Sequence, residues 1–261
     1  MKAIKRIIAV VAAVAAIATF AACGKNDDAA SGGSSSGSKK ETLVMATNAT
    51  FPPYEYYEGN KIVGIDAEIG KAIADKLGMD FNIEDMEFNS IISSVNAGGA
   101  DIGMAGMTVT DKSKKSVDFS DSYAKGVQVI IVKEDSDIKG PEDLKGKKIG
   151  VQLTTTGDIY ACDEFGSENV VEYNKATDVV LGLKNGDVDA VIIDNEPAKN
   201  FVKNNDGIKI LDTSYADEDY AICVKKGNTE LVEKINKALK ELKADGTIDK
   251  IVAKYIPADA E

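Results

Sequence analysis

Short apolar runs alternate along the chain with segments whose apolar residues recur every three or four positions, and this alternation is the pattern of strands followed by helices. Leu43–Ala46 reads as a strand, and TNATFPPYEY after it as a loop stiffened by Pro52 and Pro53. Asp66 is expected to cap a helix with Ile69, Ala72, Ile73 and Leu77 on one face, stopped by Gly78. Phe81–Ile83 is a second strand, and Asn89 or Ser90 opens a helix with Ile91, Ile92 and Val95 inward before Gly98 and Gly99. Ile102–Met107 is a third strand, running into AGMTVTDKSKKSVDF, a turn of small hydroxylated residues and a helix start. This order predicts a parallel α/β sheet whose ligand site lies at the C-terminal ends of its strands.

The pattern then repeats. Val127–Val132 is a nearly continuous apolar run, long enough for a buried strand crossing to a second body. Lys148–Leu153 is a strand, Thr154–Gly157 a turn into a helix, and Val170–Tyr173 another strand. Thr177 is expected to cap a helix with Val180, Leu181 and Leu183 before Asn185-Gly186, and Ala190–Ile193 is a strand ending at Asp194. Tyr220–Val224 returns the chain to the first body. Two helices follow, one with Leu231, Ile235, Ala238, Leu239 and Leu242 on a face, the other over Ile248–Tyr255. The expected organisation is a signal segment over 1–22, a flexible tether over 23–40, a first lobe from 41–126 plus 220–261, and a second lobe from 127–219.

Composition narrows the chemistry. The 261 residues carry a net charge of −12, no His and three Cys. An acidic chain repels phosphate backbones, which argues against nucleic acid, and without His the commonest proton shuttle and metal ligand are missing. Lys2, Lys5 and Arg6 precede the apolar run Ile7–Ala18 and the exit Phe20-Ala21-Ala22-Cys23-Gly24, the layout of a secretory signal. That exit resembles a bacterial lipobox, in which Cys23 becomes the lipidated first residue. The Gly- and Ser-rich segment Lys25–Lys40 is then a tether. Arg6 is the only arginine, so every cationic side chain beyond the signal is a Lys. Cys162 and Cys223 read as free buried thiols, with a disulfide between them left open because spacing does not decide it. Asp135, Asp137 and Gly140 have the first spacings of a calcium loop, which fails at Lys139 and Gly146.

Several stretches, in this order, resemble the extracellular solute-binding proteins of family 3, the polar amino-acid receptors of ABC importers. They are FPPYEY, GIDAEIGKAIADKLG, AGMTVTDKSKKSVDFS, LKGKKIGVQLTTTG, LKNGDVDAVIID and INKALKELKADGTIDKI. The resemblance runs from about Leu43 to Tyr255. It implies a clamshell of two α/β lobes joined by a two-strand hinge, closing on a small amino-bearing solute. It also implies a monomeric lipoprotein on the outer face of the cell membrane that serves an ABC permease and its ATPase, without a cofactor or metal and without enzymatic activity. The site residues it implies are Asn48, Phe51, Phe88, Ala105, Gly106, Thr108 and Ser113 on one jaw, with Gln152, Thr155, Thr156 and Asp194 on the other. Phe51 stacks on the ligand, Thr155 and Thr156 form the carboxylate turn, and Asp194 pairs with the ammonium.

Two of these positions depart from the family pattern or admit a plainer reading. Asp194 can instead cap the helix that follows it. At Ser113 the family carries an arginine that grips the ligand carboxylate. Three explanations stand: hydroxyls, amides and a point charge from Lys112 or Lys114 do the work, the ligand lacks a carboxylate, or amino-acid binding is lost. By default Lys112, Lys114 and Lys115 form a solvated face. Asn48, where many relatives carry Asp, disfavours strongly basic ligands. The rival readings are a dehydratase of cyclic dienyl acids and a sensor or interaction lipoprotein on the same fold.

Overall fold

The computed structural model describes residues 40–256, apart from the side chain of Thr213. The expected signal segment, Cys23 and the tether residues 25–39 lie outside the described residues.

The first half of the chain runs β1 (Thr42–Thr47), β2 (Thr50–Phe51), β3 (Glu55–Glu58), β4 (Lys61–Val63), α1 (Ile65–Leu77), β5 (Asp80–Asp85), α2 (Ile91–Ala97), β6 (Ile102–Gly103), β7 (Val117–Phe119) and β8 (Ala124–Lys133). The second half runs β9 (Ile149–Gln152), α3 (Thr156–Phe165), β10 (Val170–Tyr173), α4 (Ala176–Asn185), β11 (Ala190–Asp194), α5 (Asn195–Lys203), β12 (Ile208–Tyr220), β13 (Cys223–Lys225), α6 (Thr229–Ala244) and α7 (Thr247–Tyr255). Two five-stranded sheets result, ordered β5-β1-β6-β13-β7 and β10-β9-β11-β8-β12. In each, three neighbouring strands are parallel, and the strands that carry the chain between lobes are antiparallel. The sheets are therefore mixed, not parallel throughout, because a strand returning from the other lobe must enter in the opposite direction.

The lobes are joined by two strands bonded to each other. β8 leaves the first lobe and the end of β12 returns to it, paired from Ile208↔Lys133 to Tyr220↔Ala124. Beyond that ladder Tyr123 N–H donates to Tyr220 O (2.9 Å), and Ser120 N–H donates to Ile222 O (2.9 Å). The long β12 has no clear counterpart in the apolar pattern, since ILDTSYADEDY alternates polar residues with few apolar ones. Its strand character comes from pairing with β8.

Helix α1 shows how local chemistry sets the elements. Ile65, Ile69 and Ile73 fall on one face and are fully buried, each contributing roughly 2 kcal/mol of transfer free energy. Gly78, at φ 72°, takes the left-handed position that ends the helix and donates to Ala74 O and Asp75 O. Its start differs from expectation: Gly64 is the N-cap and Asp66 is the second residue of the first turn, buried and without a capping role. A side chain at residue 64 would place Cβ 2.2 Å from Tyr54 O, so only glycine fits there.

Other corrections have equally local causes. The aromatic loop after β1 is a small antiparallel sheet, β2-β3-β4, turning at a cis Pro52-Pro53 bond. The strand expected over Ile102–Met107 ends at Gly103, since the chain bends to Gly106 at φ 55°. The helix start at Ser113 is a single 3₁₀ turn, Ser113–Lys115, before β7. A 3₁₀ turn over Phe88–Ser90 leads into α2, with no side-chain cap from Ser90. Lys175, not Thr177, precedes α4, and Leu181 points outward at 55% exposure while Val180 and Leu183 are buried. Both thiols are free; Cys223 is buried and Cys162 half-buried.

Candidate functional site

Between the lobes lies a cavity of about 290 Å³, and all eleven residues singled out from the sequence line it. Its acidic end is built by β11, β8 and β12. Asp194, the last residue of β11, is 8% exposed and accepts hydrogen bonds from Gln128 Nε2 (2.8 Å) and the Tyr220 hydroxyl. It occupies the N-cap position of α5 yet makes no side-chain capping bond, so its carboxylate serves the cavity instead of the helix. Behind it Glu218 shares the same Gln128 amide (3.1 Å) and accepts from Thr108 Oγ1 (2.7 Å). Burial, reinforced by the charge of Glu218, pushes Asp194 up to about 7, while the Tyr220 and Gln128 bonds pull the other way. Tyr220 is itself pushed well up by burial and by Asp194, which keeps its hydroxyl a donor.

A second buried carboxylate pair supports the first-lobe wall. Asp66 Oδ2 accepts from Gly106 N–H (3.0 Å) and the Tyr123 hydroxyl (2.8 Å), which fixes the bend at Gly106. Burial raises Asp66 to about 6, the bonds from Gly106 and Tyr123 opposing it. Burial, then the charge of Asp66, raises Glu55 well above the ordinary carboxylate range, and Glu55 also lines the cavity. Phe51 packs over Gly106, where an added Cβ would lie 2.9 Å from the ring. Phe51 stacks on Tyr54 (6.0 Å between centroids), and Tyr54 meets Tyr220 edge-on (5.2 Å). An aromatic wall thus runs from the first lobe to the acid. Phe88 and Ala105 complete that side.

The hydroxyl-rich part of the lining adjoins the acid, since the Gln128 Nε2 that binds Asp194 also donates to Thr156 Oγ1 (3.5 Å). Thr154, at φ 67°, turns the chain from β9 into α3. Thr155 Oγ1 accepts from Asp158 N–H (3.3 Å) and donates to Gln152 O (2.8 Å), while Thr154 N–H donates to Asp158 Oδ2 (2.8 Å). This reciprocal cap holds the first turn of α3 against the cavity, with Thr156 at its edge. Across the cleft Ser113 is tied to Thr110. Its Oγ accepts from Thr110 N–H (3.1 Å) and donates to Thr110 O (3.0 Å), and its N–H donates to Thr110 Oγ1 (3.0 Å). Ser113 lines the cavity, but its polar atoms serve the turn. The jaws meet where Gln152 Nε2 donates to Asn48 Oδ1 (2.9 Å), with Asn48 anchored by its own donation to Met86 O (2.8 Å).

Sequence reasoning missed Glu55, Thr110 and Thr154 on the lining, and Gln128, Glu218 and Tyr220 behind Asp194; of the two lysines it offered as a point charge, Lys112 lines the cavity and Lys114 does not. Gln128 did carry a signal, being the one polar residue inside the apolar run VQVIIV. Glu218 and Tyr220 stand two apart and so share a strand face, but the segment did not read as a strand. One further cluster, Asp158, Cys162 and Glu172, has metal-like spacing. Asp158 is occupied in the α3 cap, and burial pushes the Cys162 thiol up to about 11, away from the thiolate a metal needs.

Residues 43–258 match the family model of bacterial extracellular solute-binding proteins, family 3. The chain is 40% identical over 253 residues to the arginine-binding extracellular protein ArtP of Bacillus subtilis (strain 168), spanning 92% of this chain and 94% of that protein. It is 32% identical over 255 residues to the glutamine-binding protein GlnH of an ABC transporter of the same organism, spanning 92% and 93%. Among solved structures, an ancestral arginine-binding protein bound to glutamine shares 45% identity at a TM-score of 0.80, covering 83% of this chain and 98% of that one. The arginine-, lysine-, histidine-binding protein ArtJ from Geobacillus stearothermophilus shares 36% identity at a TM-score of 0.79, covering 83% and 95%.

Proposed function

Because the chain belongs to the bacterial extracellular solute-binding proteins, family 3, we propose that its cavity captures a single amino acid for an ABC importer, the ammonium held by Asp194. The observation that carries this reading is the Asp194 carboxylate itself. It is buried, freed from capping α5, and fixed in orientation by Gln128 and Tyr220. A buried acid raised to about 7 is poised to ionise when a cation arrives and to give up its proton in exchange. Phe51, Phe88, Ala105, Gly106 and Thr108 form the ligand's first-lobe wall, and Thr155 and Thr156 offer the helix N-terminus to its carboxylate.

Relatives named for arginine and for glutamine bracket the ligand class. The neutral Asn48 amide, bonded across the cleft to Gln152, favours an uncharged polar side chain over a strongly basic one. Binding draws 41–126 with 220–261 towards 127–219 about the β8–β12 pair, so affinity needs contacts from both jaws at once. The protein acts as a monomer without enzymatic turnover, anchored through a lipid on Cys23 at the extracytoplasmic face. No helix among the described residues is long and apolar enough to cross a membrane.

A thermal-shift panel of amino acids, amides and amines tests the reading. A true ligand at about a hundred times its Kd adds roughly 2.7 kcal/mol of stability, a shift of several degrees. Stabilisation by glutamine or another amino acid supports the proposal. Stabilisation only by compounds without nitrogen overturns it.

A further inference from the structure

The cavity is electrically lopsided. Asp194 and Glu55 line one part of it with Glu218 just behind, whereas Lys112 is the only cationic side chain among the described residues lining it. None of the salt bridges among the described residues uses Lys112. Its neighbours Lys114 and Lys115 do not line the cavity. The turn bearing Lys112 is fixed by the Thr110–Ser113 bonds, which saturate Ser113, and of its two charged residues Lys112 lines the cavity whereas Asp111 does not. On the opposite jaw the Thr154 amide and Thr155 hydroxyl are committed to Asp158 and Gln152. That junction therefore offers an anion helix-terminal amides and Thr156, but no full positive charge.

Resting on the amino-acid reading above, we propose that Lys112 is the residue that makes this cavity select a carboxylate-bearing ligand, its ammonium closing over the carboxylate against the N-terminus of α3. An α-amino acid then places its ammonium at Asp194 and its carboxylate, borne on the same carbon, between Lys112 and Thr156, whose Oγ1 accepts from the Gln128 amide that also holds Asp194 (3.5 and 2.8 Å). A lysine supplies a mobile point charge without a bidentate fork, so selection acts on charge more than on shape. The same ligand with its carboxylate masked as an amide loses only this end of the interaction.

The test is calorimetric titration of the full chain and its Lys112→Gln, Lys112→Arg and Lys114→Gln variants with L-glutamine, L-arginine and their α-carboxamides. Lys112→Gln should weaken the amino acid that binds by about tenfold, the usual scale of one charge-assisted contact, and its carboxamide by less than twofold. Lys112→Arg should restore the preference for the acid, and Lys114→Gln should change neither. Equal losses for acid and amide in Lys112→Gln, or an unchanged acid, overturn the role of Lys112 while leaving amino-acid binding intact. If the unaltered chain binds the carboxamides but neither acid, selection for a carboxylate is wrong. If it binds none of the four and no other amino acid of the thermal-shift panel stabilises it, the amino-acid reading falls, and the role of Lys112 falls with it.

Discussion

Two junctions carry the chain from a parallel strand into the cleft, one after β6 and one after β9, and they are held in opposite ways. After β9 the geometry is local. Thr154, Thr155 and Asp158 cap one another within five residues, and α3 follows at once. After β6 the restraints from Gly106 to Val109 are remote, and only beyond them does the local Thr110–Ser113 turn take over. Asp66 holds Gly106, Glu218 holds Thr108, Asp219 O accepts from Val109 N–H (3.2 Å), and Ala221 N–H donates to Met107 O (3.0 Å). The first-lobe junction is therefore wired to α1 and to the hinge strand β12, so changes there report on hinge geometry as well as on ligand contact. The second-lobe junction should behave as a self-contained cap.

Substitutions can break this contrast. The largest effect is expected from Asp194→Asn, which removes the carboxylate proposed to hold the ligand's ammonium. Losing one partner of a buried ion pair costs several kcal/mol, so amino-acid affinity should fall at least about a hundredfold in calorimetry. The same variant should melt higher without ligand at pH 8. Asp194 is raised in the folded state from 3.8 to about 7. Its proton therefore favours folding most at acid pH, that contribution declines as pH rises from about 4 to 7, and it is gone above 7. At pH 8 the native protein carries a buried charge that Asn lacks.

Next in size is Gly106→Ala. At φ 55°, with Phe51 2.9 Å from the new Cβ, the left-handed bend becomes strained and the aromatic wall must shift. A cost of about 1–2 kcal/mol in conformation alone should lower affinity roughly tenfold and reduce Tm. Gln152→Ala removes the 2.9 Å contact with Asn48 that joins the jaws. A hydrogen bond of this kind is worth about 1 kcal/mol, so affinity should drop several-fold, seen as faster dissociation in stopped-flow. The smallest change in binding should come from Thr155→Ala. It loses the α3 cap, costs about 1 kcal/mol of stability, and should leave the first-lobe junction untouched. If Thr155→Ala cost more affinity than Gly106→Ala, the contrast between local and remote wiring would be wrong.

The same contrast explains what could be read in the sequence. Ala190–Asp194 was legible because a buried strand needs an apolar run, the half-buried edge strand Val170–Tyr173 from its β-branched and aromatic residues, and the turn into α3 because threonines before a helix are natural caps. The helices α6 and α7 were legible from their apolar stripes. The first-lobe junction was misread as a strand leading into a helix because its shape comes from partners 40 to 110 positions away. Asp66 looked like a cap because an acid at a helix start usually is one. Only the fold shows that it is buried beneath Gly106. β12 escaped notice because half of it is polar and its pairing partner β8, adjacent in the sheet, lies far away in sequence. Every candidate contact reached the cavity wall, whereas the residues that tune Asp194 were hidden, since tuning is a property of burial and neighbours that spacing does not encode.

The central claim is that an ammonium displaces a proton from Asp194. Titrating the full chain with its amino acid in two buffers of different ionisation enthalpy counts the protons exchanged on binding. With Asp194 at about 7, about one proton should be released per ligand at pH 6 and close to none at pH 8. Proton uptake at pH 6, or tight binding with no release at either pH, would contradict it.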